Sequence, residues 1–413
     1  MQKFEKRSPV VVTEVTTKHE LRQFMQYPNR LYADNPNYIP SFYGDDLSDW
    51  TPGKNPAFDY CEARCWLAWR DGEIVGRIGA ILSHKANDKF GTHRMRFSQV
   101  DFVDDSEVSA ALFGTVERWA RQKGCDQVHG PLGFTDMDRE GMLVEGFGRR
   151  SLFITNYNAP YYPEHLTRLG YRKDVDWIEY RISVPAPGGA EAERLHKLSE
   201  FILKRKNLHV ATVHHKSEYG PFVRQVFELV NAAYAPLYGV VELSDEQIER
   251  YANKFIPLVD PDFVCFVLDE QDKLVAFGVT TLDPSPALKH SDGRLFPFGW
   301  AEVLNDLHHG DTLIMLLTAV RPDLQTEGIN AVMMDHVCQS CNRHGVQFAE
   351  TGPMLENNDH ILAQWKRLEK EQHKRRRCFI KDLDHGINAA NAAAAAQAEA
   401  PAPEQTPAAE SAE

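Results

Sequence analysis

FVCFVLDEQDKLVAFGVTTL, residues 263–282, reads as two apolar strands joined by a polar tip, and CWLAWRDGEIVGRIGAIL, residues 65–82, reads the same way in the first half of the chain. Each is a β-hairpin, with Asp-Gly or an Asp/Glu/Gln/Lys cluster at its turn. Working outward, the same succession follows both. A third strand comes next, MRFSQVDFV (95–103) and TLIMLLTAV (312–320), then an amphipathic helix, VSAALFGTVERWARQKG (108–124) and INAVMMDHVCQSCNRHG (329–345). Both helices stop at a glycine, Gly124 and Gly345, as a left-handed C-terminal cap prefers. A strand then closes on Gly-Pro, DQVHGP at 126–131 and VQFAETGP at 346–353. A helix and a last strand complete each unit, LTRLGYRKDVDWIEYRI (166–182) and AQWKRLEKEQHKRRRCFI (363–380), with the second helix expected to run from Asp359 to Lys374. Helical stretches, KHELRQFMQYPNRLY (18–32) and GPFVRQVFELVNAAY (220–234), precede the hairpins. This internal repeat predicts an α/β (α+β) protein of two tandem halves, each a mixed, mostly antiparallel twisted sheet flanked by helices.

At 413 residues the chain is too long for one ordinary core, in agreement with two units. Pro and Gly in VPAPGGAEAE (184–193) mark the junction. The expected division is a first domain at 1–185, a linker or helix at 186–204, a second domain at 205–385, and a disordered Ala/Pro/Glu tail at 386–413.

A net charge of −13 argues against nucleic acid as a partner. No apolar run approaches the roughly 20 residues that span a bilayer, and MQKFEKRSPVVV lacks a signal-peptide h-region, so a cytoplasmic location is expected. Seven scattered cysteines fit reduced thiols. Cys338 and Cys341 form a CxxC on a helical pattern without a second ligand pair, so no metal is expected.

The chemistry is expected in AVRPDLQTEGIN, residues 319–330, between the strand ending at Val320 and the next helix. A bend at a helix N-terminus presents N–H donors and a partial positive charge, which suits a pyrophosphate. Gly328 lets the main chain come close to such a ligand. The equivalent place in the first half, DFVDDSEVSAA at 101–111, lacks glycine and carries Asp101, Asp104, Asp105 and Glu107. Each carboxylate opposes a phosphate by about 1 kcal/mol at 4 Å even in water, so this half is expected to exclude the anion.

Gln325-Thr326-Glu327-Gly328-Ile329-Asn330, preceded by Val320-x-Pro322, resembles the Q/R-x-x-G-x-G/A pattern of the GNAT superfamily, with Asn330 where Gly or Ala is usual. GMLVEGF (141–147), NYNAPYYPEHLTRLGY (156–171) and ETGPMLENN (350–358) extend the resemblance to a family of bacterial tandem GNAT-like proteins, across residues 10–383. Some similar bacterial proteins are associated with N-acylation of long-chain bases. The resemblance implies acyl-CoA, acetyl or longer, as co-substrate and a small-molecule or lipid amine as acceptor. It also implies direct attack of the amine on the thioester, and no GxSxG nucleophile elbow contradicts this. The strand carrying Leu317, Ala319 and Val320 would then hold the pantetheine arm, with the six loop residues at the phosphates.

Glu350 and Glu356 are candidate bases, with Glu350 expected to face the splay between strands. Asn358 is either a site residue or the N-cap of the last helix. The superfamily often uses a tyrosine acid on that helix, where this chain has Trp365 and no tyrosine. Asp136, Asp138, Arg139, Glu140 and Glu145 can line an acceptor pocket at the junction of the halves, or form a solvated loop. Tyr157, Tyr161 and Tyr162 read as core caps or an aromatic wall. Phe296, Phe298 and Trp300 read as a packed lid, a cover for a long acyl chain, or a peripheral membrane contact. KRRRC (374–378) reads as an exposed strand start. Three functions stay open: an N-acyltransferase, a long-chain acyltransferase acting on a lipid amine, and an acyl-CoA-binding protein without turnover. The oligomeric state is not legible.

Overall fold

A computed structural model describes residues 7–384; the expected tail at 386–413 lies outside them. The first half opens with β1 (Val11–Glu14), α1 (Lys18–Leu31) and α2 (Tyr43–Asp49), then the hairpin β2 (Cys61–Arg70) and β3 (Glu73–Ser83). It continues through α3 (His84–Phe90), β4 (Arg94–Phe102), α4 (Ser106–Gln122) and β5 (Gln127–Gly130). It ends with β6 (Met142–Glu145), α5 (Tyr162–Arg168) and β7 (Arg172–Ser183). The second half has α6 (Ala190–Lys206), β8 (His209–Val210), α7 (Gly220–Tyr234) and α8 (Asp245–Phe255) before the hairpin β9 (Val264–Leu268) and β10 (Leu274–Leu282). An insertion, α9 (Ser285–His290) and α10 (Gly299–His309), leads to β11 (Thr312–Val320), α11 (Asn330–His344), β12 (Phe348–Thr351) and β13 (Met354–Leu355). The last elements are α12 (Asp359–Ala363) and β14 (Lys370–Asp382).

The repeat read from the sequence is the fold. β4 pairs parallel with β5, β11 pairs parallel with β12, and the other ladders are antiparallel. α4 covers the first sheet through Val108, Leu112, Phe113, Val116 and Ala120, a helical stripe of apolar residues. α11 covers the second through Val332 and Met333.

The halves trade their last strands. The sheet order is β1-β2-β3-β4-β5-β14-β7-β12-β11-β10-β9-β8. Thus β14, from the second half, completes the first sheet, and β7, from the first half, completes the second. The short strands reinforce the exchange: β6 pairs with β14 and β13 with β7.

This exchange corrects two expectations. The helix expected to reach Lys374 stops at Ala363, and the chain is strand from Lys370, because β14 is gripped by neighbours on both edges. The basic run is not exposed: Lys374 and Arg376 are 1% and 0% exposed. Their partner is Glu179 on β7, 2.5 Å from Arg376 and 3.5 Å from Lys374. Burial pushes the Glu179 carboxyl up, but the two cations outweigh it and hold it below its ordinary range. A charge buried without its partner is strongly destabilising, so this cluster constrains how β7 and β14 pair.

Candidate functional site

The register of β10 against β11 shifts between Val279 and Thr280, so that Val279 faces Leu317, Thr280 faces Met315, and Leu316 is bulged out. A bulge bends its strand. The parallel ladder to β12 accordingly covers only Thr312 to Met315. Beyond it the two strands diverge, and among the described residues the β12-facing edge of β11 from Leu316 to Val320 has no strand partner.

The turn into α11 lies at the mouth of this splay. After a 3-10 turn at Pro322–Leu324, Gly328 adopts φ +80°, a conformation that L side chains rarely take. A Cβ at Gly328 would point at Ile202 of α6, 3.2 Å away, so glycine is required by the turn and by that helix rather than by open approach to a ligand. Nothing caps α11: Ile329 makes no side-chain hydrogen bond at the N-cap. Among the described residues the amides of Thr326, Gly328, Ile329 and Asn330 donate to no protein group. Gln325 donates to the Val320 carbonyl at 3.3 Å, and Glu327 is paired with Lys206 at 2.6 Å. An uncapped helix start with free amides is a ready anion site.

Two cavities meet at the splay. The first, about 170 Å³, lies between β11 and the end of β12 along one face of α11. Met315, Leu317, Met333, Val337, Cys341 and Trp365 are among its mostly apolar lining. It follows α11 from Asn330 to Cys341, about 16 Å at 1.5 Å per residue. Cys338 and Cys341 line it as neutral thiols, pushed by burial up to about 11 and about 12. The second cavity is an open cleft of about 870 Å³ that shares seven lining residues with the first, Tyr234, Thr318, Asn330 and Gln364 among them. Its lining joins Thr318, Ala319, Val320, Gln325 and Asn330 of the splay with Leu237 and with Asp136, Glu140 and Trp177 of the first half.

The candidate residues divide accordingly. Leu317, Ala319, Val320, Gln325 and Asn330 come together around the two cavities, and Asn358 lines the cleft while capping α12 by accepting from the Ile361 amide. Ile329 is core, and Thr326, Glu327 and Gly328 shape the turn without lining either cavity.

Glu350 does not face the splay. Ala349 and Thr351 line the apolar cavity, and strand alternation turns the residue between them to the other face. There Glu350 meets Lys374 at 3.2 Å, and burial, opposed by that cation, holds its carboxyl above its ordinary range. Glu356 is held by Arg375 at 2.7 Å and by Lys173, outside both cavities.

The insertion is not a lid over this site. Phe296 and Phe298 are 81% and 75% exposed, and α10 packs through Val303 and Leu307 onto Ile39 and Ile314. Tyr157 and Tyr162 are core; Tyr162 bonds Tyr32 at 2.7 Å, and Tyr161 stacks on Tyr162. Residues that sequence reasoning missed are Tyr234, whose hydroxyl donates to the Thr318 carbonyl at 2.9 Å, and Tyr238, His360 and Gln364 in the cleft. Nothing in a single sequence separates them from surface or helix-face residues.

No family model matches the chain. It is 27% identical over 383 residues to "Protein YghO" of Escherichia coli (strain K12), covering 90% of this chain and 95% of that protein. It is 28% identical over 299 residues to "Bacterial ceramide synthase" of Caulobacter vibrioides (strain NA1000 / CB15N), covering 71% of this chain and 75% of that protein. Among solved structures it is similar to a tandem GNAT protein from the clavulanic acid biosynthesis pathway, with TM-score 0.52 and 13% identity over 91% of this chain and 99% of that one. The chain therefore has the tandem GNAT fold.

Proposed function

We propose that this chain is an acyl-CoA-dependent N-acyltransferase with one CoA site, in the second half, and an acyl donor longer than acetyl. The observation that carries the reading is that the uncapped turn at 325–330 and the apolar cavity open into the same splay. The free amides suit the pyrophosphate, and the unpaired edge of β11 from Leu316 to Val320 suits the amide-bearing pantetheine arm. A backbone N–H on that edge is placed to polarise the thioester carbonyl. The amine attacks the thioester carbon, the C–N bond forms, the C–S bond breaks, and CoA leaves as the thiolate.

At about 30 Å³ per water-sized group, 170 Å³ takes five or six methylenes, which acetyl does not need. The cleft's combination of apolar wall and carboxyl groups suits an amine with a hydrocarbon body. Its likeness to a protein named bacterial ceramide synthase points the same way, to a long-chain base as acceptor. The test is thermal shift with acetyl-, octanoyl- and palmitoyl-CoA, followed by release of CoA thiol on adding sphinganine. Stabilisation that grows with chain length and turnover with the long-chain base are expected. Equal response to acetyl-CoA would remove the long-chain donor; binding without turnover on any primary amine would leave a binding protein.

A further inference from the structure

The loop at 133–141 belongs to the first half, yet it forms a wall of the second half's cleft. Its shape is fixed internally: Asp138 Oδ2 accepts from the Phe134 and Thr135 amides at 2.8 and 3.2 Å, and the Gly141 amide donates to the Pro131 carbonyl. It is also tied to the second half, where the Thr135 hydroxyl lies 2.6 Å from the Tyr251 hydroxyl of α8. This anchoring uses Asp138 and leaves two acids over. Asp136 and Glu140 line the cleft, and among the described residues neither makes an ion pair or a side-chain hydrogen bond. Both are half-buried at the cleft wall, where a carboxyl without a partner is open to a guest that supplies one.

The surrounding charges do not supply one. Arg96 on β4 is held by three carbonyls, those of Gly133, Phe134 and Gly239, at 2.8, 3.3 and 3.0 Å. Lys89 on α3 donates to the carbonyls of Ala235 and Val240. The other titratable groups lining the cleft are Tyr234 and Tyr238, with Asp359 and His360 on α12. Asp138, within the loop and bonded to its amides, adds a further negative charge. Burial pushes Asp136 up to about 6, and burial together with Asp136 holds Glu140 well above its ordinary range. A carboxyl in that condition gains from a cationic guest, and a base is most effective when it titrates near the working pH.

We propose that Asp136 and Glu140 receive the acceptor's ammonium group and take its proton, so that the first half supplies the amine site for the thioester held by the second. This rests on the acyltransferase reading above. One carboxylate takes a proton from the ammonium and frees the nitrogen lone pair. After C–N bond formation the nitrogen loses a second proton, to the other carboxylate or to the departing thiolate, and the amide is left neutral. The half without a phosphate turn is then an acceptor-binding half.

Titration calorimetry of the full chain with dodecylamine and with dodecanol separates this proposal from the donor reading. The wild type is expected to bind the amine at least tenfold more tightly than the alcohol at pH 7.5. Asp136→Asn/Glu140→Gln abolishes that preference, and Glu140→Asp, which keeps the charge, restores it when placed with wild-type Asp136. With palmitoyl-CoA and sphinganine, Glu140→Gln lowers kcat at least a hundredfold and flattens the acidic limb of the pH profile. Octanoyl-CoA binding stays unchanged in every variant. No amine preference in the wild type, or the same preference in the double variant, would overturn the acid pair. Failure of the wild type to bind octanoyl-CoA would instead overturn the donor reading and leave the amine result standing.

Discussion

The turn into α4 and the turn into α11 occupy equivalent places in the two halves and are built for opposite ends. Asp105 caps α4 by accepting from the Glu107 amide at 2.9 Å, and Arg70 reaches both acids at 2.6 and 2.7 Å. Asp101 is buried against Arg77 at 2.7 Å. Every charge there is spoken for, and the helix start is sealed. The turn into α11 has glycine at φ +80°, no cap, and four amides without a protein partner among the described residues, and its two ends, Gln325 and Asn330, line the cleft. The strands behind the turns differ in the same sense. Past the β4–β5 ladder the Leu132 amide still donates to the Phe97 carbonyl at 3.0 Å, whereas past the β11–β12 ladder the gap stays open. One repeat is closed at this point, and the other keeps an open turn beside an apolar cavity.

The largest effect comes from separating the halves. Residues 186–413 expressed alone lack β7, the neighbour of both β12 and β14, so no octanoyl-CoA binding and no cooperative unfolding transition are expected. A stably folded, binding-competent fragment would mean that strand exchange is dispensable. Next, Glu350→Gln removes a partner of buried Lys374 and should cost about 3 kcal/mol of stability in denaturant titration, with kcat of the folded fraction unchanged. A hundredfold fall in kcat at full folding would return Glu350 to the chemistry.

Asn330→Asp probes the open turn without harming it, since an acid suits a helix start but repels a phosphate. Octanoyl-CoA affinity should fall ten- to a hundredfold, about 1.4–2.8 kcal/mol, while Tm holds or rises. Asp136→Asn should trade activity for stability. The folded state keeps a proton on Asp136 up to about pH 6 that the unfolded chain gives up near 3.8, so stability falls as pH rises through that window. Removing the charge should gain about 1–2 kcal/mol at pH 8 and nothing at pH 3.5, read from urea midpoints at the two pH values. Smallest is Asp105→Ala, about 1 kcal/mol of lost capping with CoA affinity untouched.

The repeat, the two glycine-capped helices and the contrast between the two turns were legible because each is written in local sequence: hairpin tips, Gly124, Gly345, and acids against Gly328. Strand exchange was not. The choice between β14 pairing with β12 or with β5 is made by contacts far apart in sequence, such as Arg376 with Glu179. The same contacts turned KEQHKRRRC from a helical and exposed reading into a strand whose His373, Lys374, Arg376 and Cys378 are buried. Glu350 was misjudged by one step of strand alternation, since its neighbours and not itself face the splay. The acid pair was half visible: the loop 133–148 was readable as a junction pocket, but which of its acids anchor the loop and which face the cleft depends on the Asp138 bonds.

The most direct test is a crystal structure of the full chain with a non-hydrolysable octanoyl-CoA thioether. The pyrophosphate is expected on the amides of Thr326, Gly328, Ile329 and Asn330, the pantetheine along Leu316–Val320, and the octanoyl chain beside Met333 and Val337. Density at the turn of residues 101–111, or an acyl chain outside the splay, would contradict it.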